Sequence, residues 1–265
     1  MQSHQVSVSG GKDGLDYYVS GSYLNQDGTV LGNNYDRYTF RSNINSQIKP
    51  WLKIGTSLTG SRSFQNTSLS NNTGIIYTAL LSAPDQAVYN ANGSFAGAQP
   101  GQIGAQINPV AQALSITNNL AQDNFNGSIY GDISFIKDLV LHSEFDANVG
   151  YSAAKYFQPT YNYDPLHFNP TATLSEYYGN STYWSWKEYL TYTHTFAKKH
   201  ALQLQAGHEL INSVYHSNNA GISNFLSNTL QSLNLGTAST ATVGEYIGNN
   251  DIIESEFGRA IYTFN

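Results

Sequence analysis

Between Tyr17 and Gly60 the chain alternates apolar and polar residues in three successive runs. In the first, Tyr17, Val19, Gly21 and Tyr23 fall on one face and Tyr18, Ser20 and Ser22 on the other. In the second, Tyr38, Phe40 and Ile44 oppose Thr39, Arg41, Asn43 and Asn45. In the third, Leu52, Ile54, Thr56 and Leu58 oppose Lys53, Gly55, Ser57 and Thr59. A period of two means β-strand, because successive side chains leave opposite faces of a strand. Runs of about ten residues or more exceed the usual globular strand and suit a tilted strand crossing a bilayer. One face is rich in aromatic residues, and the other carries Ser, Thr, Asn, Lys and Arg. Strands that alternate in this way are the signature of a transmembrane β-barrel wall.

Composition supports such a wall. Charged residues are 11% of the 265, against roughly 25% in ordinary soluble domains. Aromatic residues are 13%, and Tyr alone occurs 20 times. A barrel wall needs few charges outside and neutral polar groups inside. The net charge of −6 argues against a nucleic-acid partner, since phosphate binding needs clustered Lys and Arg. With no cysteine, disulfides, thiolate metal sites and Cys nucleophiles are excluded. No apolar run is long enough for a transmembrane helix. The strand pattern opens at His4, with no leader before it; this is expected of an internal stretch of a longer barrel or of a cytosolic chain.

Along the chain, further alternating runs cover 4–9, 122–135, 139–151, 183–196, 201–211 and 252–265, which makes about nine strands. Phe125, Ile129, Phe145 and Leu190 fall on apolar faces, and Glu188 interrupts one of them. The facing of the last run is left open by its pattern. Connections near Lys12, Lys49, Lys137 and Lys198 are short; those at 25–34, 65–121, 152–181 and 213–250 are longer. Short turns alternating with long loops predict an up-and-down antiparallel barrel portion with its long loops at 65–121, 152–181 and 213–250 extracellular. Trp51 and Phe196 near the short turns, with Tyr151, Trp184 and Trp186 toward the long loops, fit two interfacial aromatic girdles. Within the first loop, short helices are expected from Ile75 up to Pro84 and from Asn108-Pro109 onward.

Chemistry-bearing motifs are few. Gly10-Gly11-Lys12-Asp13-Gly14 lacks phosphate-loop spacing and reads as a hairpin turn. The seven His residues are dispersed without metal-ligand spacing. His142, Glu144 and Asp146 share one strand face, and with Arg41, Asn43 and Asp132 they read as polar residues lining a wet lumen rather than as acid–base machinery. No G-x-S-x-G occurs. No catalytic residue, metal site or cofactor is assigned, and the chain reads as no enzyme. The Tyr-rich stretch with Tyr156, Tyr161, Tyr163, Tyr177, Tyr178 and Tyr183 is the candidate ligand surface, since aromatic faces stack on sugar rings. The alternative is that these rings belong to a girdle or pack the loop on itself.

Three segments carry a resemblance. HQVSVSGGKDGLDYYVSGSYLNQDGTV (4–30) followed by YDRYTFRSNINSQIKPWLKIGTSLT (35–59) resembles the early barrel of SusC/RagA-type TonB-linked outer-membrane proteins. SEFGRAIYTFN (255–265) is similar to that family's FGR-x-x-Y strand, and VYNANGSF (88–95) to its Y-N-x-x-G-S-[YF] loop pattern. The resemblance implies a barrel of roughly 22 strands around a plug, of which residues 1–265 would form a nine-strand part. The plug, the TonB-contacting segment and the remaining strands would lie elsewhere. It further implies a Gram-negative, Bacteroidetes-like outer membrane with its lipid as surroundings. A TonB complex would act through the missing N-terminal part, a SusD-type surface lipoprotein would cap the loops, and the substrate would be a glycan or a peptide. Alternatives from other classes are a porin or adhesin without energy coupling, and a soluble β-sandwich binding or hydrolytic domain, which would need a second sheet over its aromatic face.

An isolated nine-strand sheet would leave the first and last strands as bare edges and the aromatic face as one apolar patch. Residues 1–265 expressed alone without detergent are therefore expected to aggregate rather than form a monomer. Size-exclusion chromatography and thermal melting check this, and a monodisperse, cooperatively melting monomer would favour the soluble domain.

Overall fold

The computed structural model describes residues 1–67, 74–99, 101–102 and 106–264. Asn265, the end of the predicted last strand, lies outside them. One antiparallel sheet forms the body. Its strands begin with β1 (Gln2–Lys12), β2 (Leu15–Asp27), β3 (Asn34–Lys49), β4 (Leu52–Asn66), β5 (Thr117–Ile136) and β6 (Leu139–Gln158). After the two-residue strands β7 (Tyr161–Asn162) and β8 (Phe168–Asn169) come β9 (Thr173–Phe196), β10 (His200–Ser223), β11 (Thr242–Ile247) and β12 (Asp251–Phe264). Long strands pair in chain order, and β11 and β12 both lie against β10. β12 takes His200 to Ser213 and β11 takes His216 to Gly221. Between them the chain bulges, and the Gly248 N–H donates to the Tyr215 carbonyl at 2.7 Å. β11 and β12 are thus two halves of one strand, which turns the ten-stranded sheet into a nine-strand up-and-down wall.

Register assigns the faces, because residues directly opposite on neighbouring strands point the same way. Val19, Ser42, Leu58, Gly127 and Ala147 are successive partners across β2 to β6, and Phe40 and Gly60 follow two residues along. Ile129, Phe145 and Trp186 continue that apolar face, with Leu190 further along β9. Arg41, Asn43, Asp132, His142, Glu144 and Asp146 all fall on the opposite, polar face. The last strand follows from its pairing with β10. Ile252, Gly258, Ala260 and Tyr262 join the apolar face, and Ser255, Phe257 and Arg259 join the polar one. Among the described residues no second sheet covers the apolar face, and Val6, Phe40, Ile129 and Tyr262 are more than half exposed on it. No helix among them is long and apolar enough to cross a membrane.

The short turns match their sequence. Asp13 and Gly14 both have positive φ, 44° and 84°, as a two-residue type I′ hairpin requires. Ala197 and Lys198 adopt the same geometry, 50° and 60°, without glycine. The long loops are shorter than the alternation suggested. Residues 152–158 and 173–181 belong to β6 and β9, and 213–223 belong to β10, so the true connections are 67–116, 159–172 and 224–241. β9 and β10 each run 24 residues, about 80 Å at ~3.3 Å per residue, against an apolar band of about 25 Å. Toward their far ends the binary pattern fades although the hydrogen-bond ladder continues.

If the apolar face meets lipid, Arg placed there costs roughly 2–4 kcal/mol at the bilayer midplane. Leu58→Arg or Ile129→Arg in the complete barrel is expected to reduce its assembly, whereas Asn43→Arg is tolerated. Heat-modifiable migration of the folded barrel on gels reads the difference, and equal effects at both classes of site would refute the facing.

Candidate functional site

The three long loops converge above the wall, and the well-packed interior of the chain lies there. Phe157, Leu174 and Ile222 are register partners at the far ends of β6, β9 and β10, and they pack with Ala172, Phe225 and Leu233. Gln231 of the third loop accepts from Thr117 at 3.2 Å, and its carbonyl accepts from Lys155. Asn228 clamps the second loop: its Oδ1 accepts from the Thr160 N–H and its Nδ2 donates to the Thr160 carbonyl, both at 2.9 Å.

The first loop is built on VYNANGSF. Tyr89 and Phe95 bridge as a miniature hairpin with stacked rings, and Gly93 turns it with φ 83°. Asn108 secures this hairpin to α2 (Pro109–Ser115), while α1 (Ile75–Leu81) ends before Pro84 as expected. The Asn108 Oδ1 accepts from the Val110 and Ala111 N–H groups, capping the helix, and its Nδ2 donates to the carbonyls of Val88 and Ala96.

Asp164 joins the first loop to the second. Its carboxylate accepts from the Ala98 N–H at 2.7 Å, the Leu166 N–H at 2.8 Å, and both the main-chain N–H and the Nδ1 of His167. Burial works against the charge, but these donors outweigh it and hold the carboxyl down at about 2.

Between the loops runs a groove of about 540 Å³ lined by Asn90, Ser94, Phe95, Tyr161, Tyr163 and Asn228, among others. Tyr161 and Tyr163 stack at 4.7 Å, and Phe95 meets Tyr163 edge-on at 6.2 Å. Burial, helped by the neighbouring Tyr163 and Tyr156, pushes the Tyr161 hydroxyl above its ordinary value. Flat rings beside neutral amides and hydroxyls can stack on a planar or sugar-like surface and bond its polar groups.

The polar face of the wall carries its own organised row. His142 donates from Nδ1 to Asp132 at 2.6 Å and lies 3.4 Å from Glu144 through Nε2, while Lys187 reaches Glu144 at 3.5 Å. The His142 ring stacks between Tyr130 at 5.5 Å and Tyr189 at 4.6 Å. Two glycines extend the row. Tyr130 lies across Gly55 to donate to Asn45 at 2.8 Å, and Tyr189 meets Phe257 at 6.1 Å over Gly207. A Cβ at Gly55 or Gly207 would collide with these rings.

The six tyrosines singled out from the sequence are thus divided. Tyr161 and Tyr163 line the groove, with Tyr156 nearby. Tyr177, in hydroxyl contact with Tyr215, and Tyr183 are on the polar face; Tyr178 is on the apolar one. The lumen-type set is brought together more closely: Asp132, His142, Glu144 and Asp146 crowd onto β5 and β6, with Arg41 and Asn43 farther away on β3. Asp164 and Asn228 were not anticipated. The Asp164-Pro165 step before His167 is the one local signal, since Asp before Pro favours a turn closed by its own carboxylate.

No family model matches the chain. Over 98% of its length it is 31% identical to TonB-dependent receptor P3 of Formosa agariphila and 26% identical to TonB-dependent receptor P26 of the same organism. It spans 26% of the length of each of these relatives. The solved RagAB peptide transporter aligns at TM-score 0.81 and 23% identity, covering 99% of this chain and 30% of that one. The RagAB peptide importer in its closed-closed state aligns at 0.79 and 24%, with the same coverages. The relatives that this chain resembles along its length are named TonB-dependent receptors, and in fold its sheet is like about 30% of the RagAB transporter chain.

Asp164 ties the loop assembly to pH. Its folded value lies below the ordinary 3.8, so its contribution is full above about 4 and is lost as the pH falls through about 2. The protection of the Ala98 and Leu166 amides against hydrogen exchange, taken relative to the intrinsic rate at each pH, should therefore fall on acidification across that range. Asp164→Asn should exchange faster at neutral pH and lose most of that dependence. An unchanged acid profile in the variant would refute the role.

Proposed function

We propose that this chain is wall and loop structure of an outer-membrane TonB-dependent transporter of the SusC/RagA type, which imports oligosaccharides or peptides. The observation that carries the reading is the nine-strand up-and-down sheet with one apolar and one polar face, similar along nearly its whole length to TonB-dependent receptors. The apolar face meets outer-membrane lipid, and the polar face lines the barrel interior. The loop assembly faces outward from the cell, where a SusD-type lipoprotein closes over it. Tyr161 and Tyr163 offer substrate its first stacking surface. Energy reaches the barrel from a TonB complex through the part of the receptor outside this chain.

Uptake of labelled oligosaccharide or peptide by cells expressing the complete receptor tests this reading. Each lost ring contact is worth about 0.5–1.5 kcal/mol, so Tyr161→Ala/Tyr163→Ala is expected to weaken substrate binding by roughly tenfold. Removing TonB should abolish uptake. Uptake indifferent to TonB would instead support a porin.

A further inference from the structure

The apolar face changes character on the side of the long loops. Phe40, Gly60, Phe125, Val149, Thr182 and Val214 are successive register partners from β3 to β10, and this row is still mainly apolar. The next row on the same face is polar: Arg62, Asp123, Tyr151, Asn180 and His216 are successive partners on β4, β5, β6, β9 and β10. In the row beyond that, Ala121, Ala153, Tyr178 and Asn218 follow one another on β5, β6, β9 and β10. Between the two rows lies a hollow of about 300 Å³, at the lower end of the roughly 300–1,000 Å³ of small-molecule sites. Tyr151 and Tyr178 sit on one diagonal of its central square, and Ala153 and Asn180 on the other. Both rings are more than half exposed, and the alanines give them a low floor. At one end the Arg62 guanidinium lies over the Phe64 ring at 5.0 Å and meets Asp123 through Nε at 3.5 Å. At the other end His216 Nε2 lies 2.9 Å from Glu245.

This inference rests on the reading that the apolar face meets lipid and the long loops face outward, which sets the hollow at the headgroup level of the outer leaflet. An aromatic girdle needs only amphipathic rings at that depth. It needs neither a hollow between the rings nor a polar row across five strands. We propose that the hollow binds the phosphorylated sugar headgroup of a glycolipid in the outer leaflet. The faces of Tyr151 and Tyr178 stack on a sugar ring. The exposed amides of Asn180 and Asn218 and the Asp123 carboxylate bond its hydroxyls. Arg62 takes the phosphate: Asp123 engages only its Nε, and the terminal nitrogens keep the planar fork that suits a phosphate. From Arg62 to His216 the row crosses four strand spacings, about 19 Å at ~4.8 Å each, which accommodates more than one sugar. The acyl chains then run down over Phe125 and Val149, in the row nearer the middle of the apolar face. The hollow lies on the side of the wall opposite the polar face. A solute passing through the barrel does not meet it, whereas a lipid anchored beside the wall does.

The test uses the complete receptor in phosphatidylcholine nanodiscs, with native mass spectrometry counting bound lipid through a titration. Lipid A, a diphosphorylated glucosamine-disaccharide lipid, is the probe. Phosphatidylglycerol offers a phosphate and acyl chains without the sugar, and glucosamine 6-phosphate offers the sugar and phosphate without acyl chains. Lipid A is expected to bind about tenfold more tightly than phosphatidylglycerol, and millimolar glucosamine 6-phosphate should not displace it. Arg62→Gln should weaken lipid A binding about tenfold, as the loss of a charge-assisted hydrogen bond does. Tyr151→Ala/Tyr178→Ala should weaken it by a similar factor through lost stacking, and neither change should alter phosphatidylglycerol binding. Equal binding of the two lipids would overturn the sugar specificity, and displacement by glucosamine 6-phosphate would overturn the lipid source. Lipid A binding that is unchanged in both variants would overturn the site. The lipid-facing reading is checked separately by Ile129→Cys in the same receptor, otherwise free of cysteine, which should be protected from a water-soluble maleimide. Free labelling there would overturn that reading and the site with it, whereas failure of lipid A to bind while Ile129→Cys is protected would overturn the site alone.

Discussion

A main chain that crosses hydrocarbon must bond its N–H and C=O groups to itself, and on the proposed reading that demand governs this molecule. Among the described residues the nine-strand wall has no hydrophobic core on either side. The largest fully buried side chains, Phe157 and Leu174, lie in the loop assembly beyond the apolar band. What holds the wall together is the antiparallel ladder from β1 to the β11–β12 strand, continuous except for bulges at the turns and at 248–250. Side chains on the wall do not fill an interior. They set which solvent each face meets. The free edges of β1 and β12 follow from the same rule, because a ladder is complete only when both outer strands find partners.

Once the ladder is given, side-chain work is concentrated at the far ends of the long strands. There, three connections that carry only short helices and two-residue strands of their own are locked by a few groups that each satisfy several others. Asn108 caps a helix and closes a hairpin, Asn228 clamps a main-chain segment, and Asp164 gathers three N–H groups from two loops. These residues answer the main-chain polar groups that irregular segments leave unpaired. Neutral amides carry most of this work, in keeping with the low charge of the chain. Asp164 is the ionised exception, and its four donors are what allow a charge to sit where it is almost covered.

What could be read from sequence follows from the same division. Where each strand carries one apolar and one polar face, period two is written into the residues. The faces of Val19, Phe40, Leu58, Ile129, Phe145 and Leu190 could be read from it directly. Toward the far ends both faces carry polar residues and the pattern dissolves, so β6, β9 and β10 outrun their predicted ends. The last strand was ambiguous because Ile252 and Ile253, or Ile261 and Tyr262, are apolar neighbours on opposite faces. Pairing with β10 resolves it. The loop-locking roles of Asp164 and Asn228 depend on contacts 66 and 68 residues away, for which no local periodicity exists. The tyrosines were recognisable as a group, but their division between groove and wall was set by strand ends that the pattern did not mark.

At one level of the wall the two faces exchange character. Ser143, Glu188, His208 and Glu256 stand on the apolar face, and their sequence neighbours His142, Tyr189, Gly207 and Phe257 belong to the ring-and-glycine row on the polar face. A slipped register cannot produce this, because a slip of one residue would turn over every side chain of a strand rather than one row. Above and below the line β6, β9 and β10 return to the ordinary pattern, while β12 carries a further acid, Glu254, on the same face. The inversion is therefore carried by the side chains of this level alone. It also spans neighbouring strands that are distant in sequence, so it belongs to the surface rather than to any one strand. On the interior side, flat rings and glycines make the smoothest part of the polar face, beside the His142 carboxylate pair. On the apolar face, Glu188 and Glu256 stand on either side of His208.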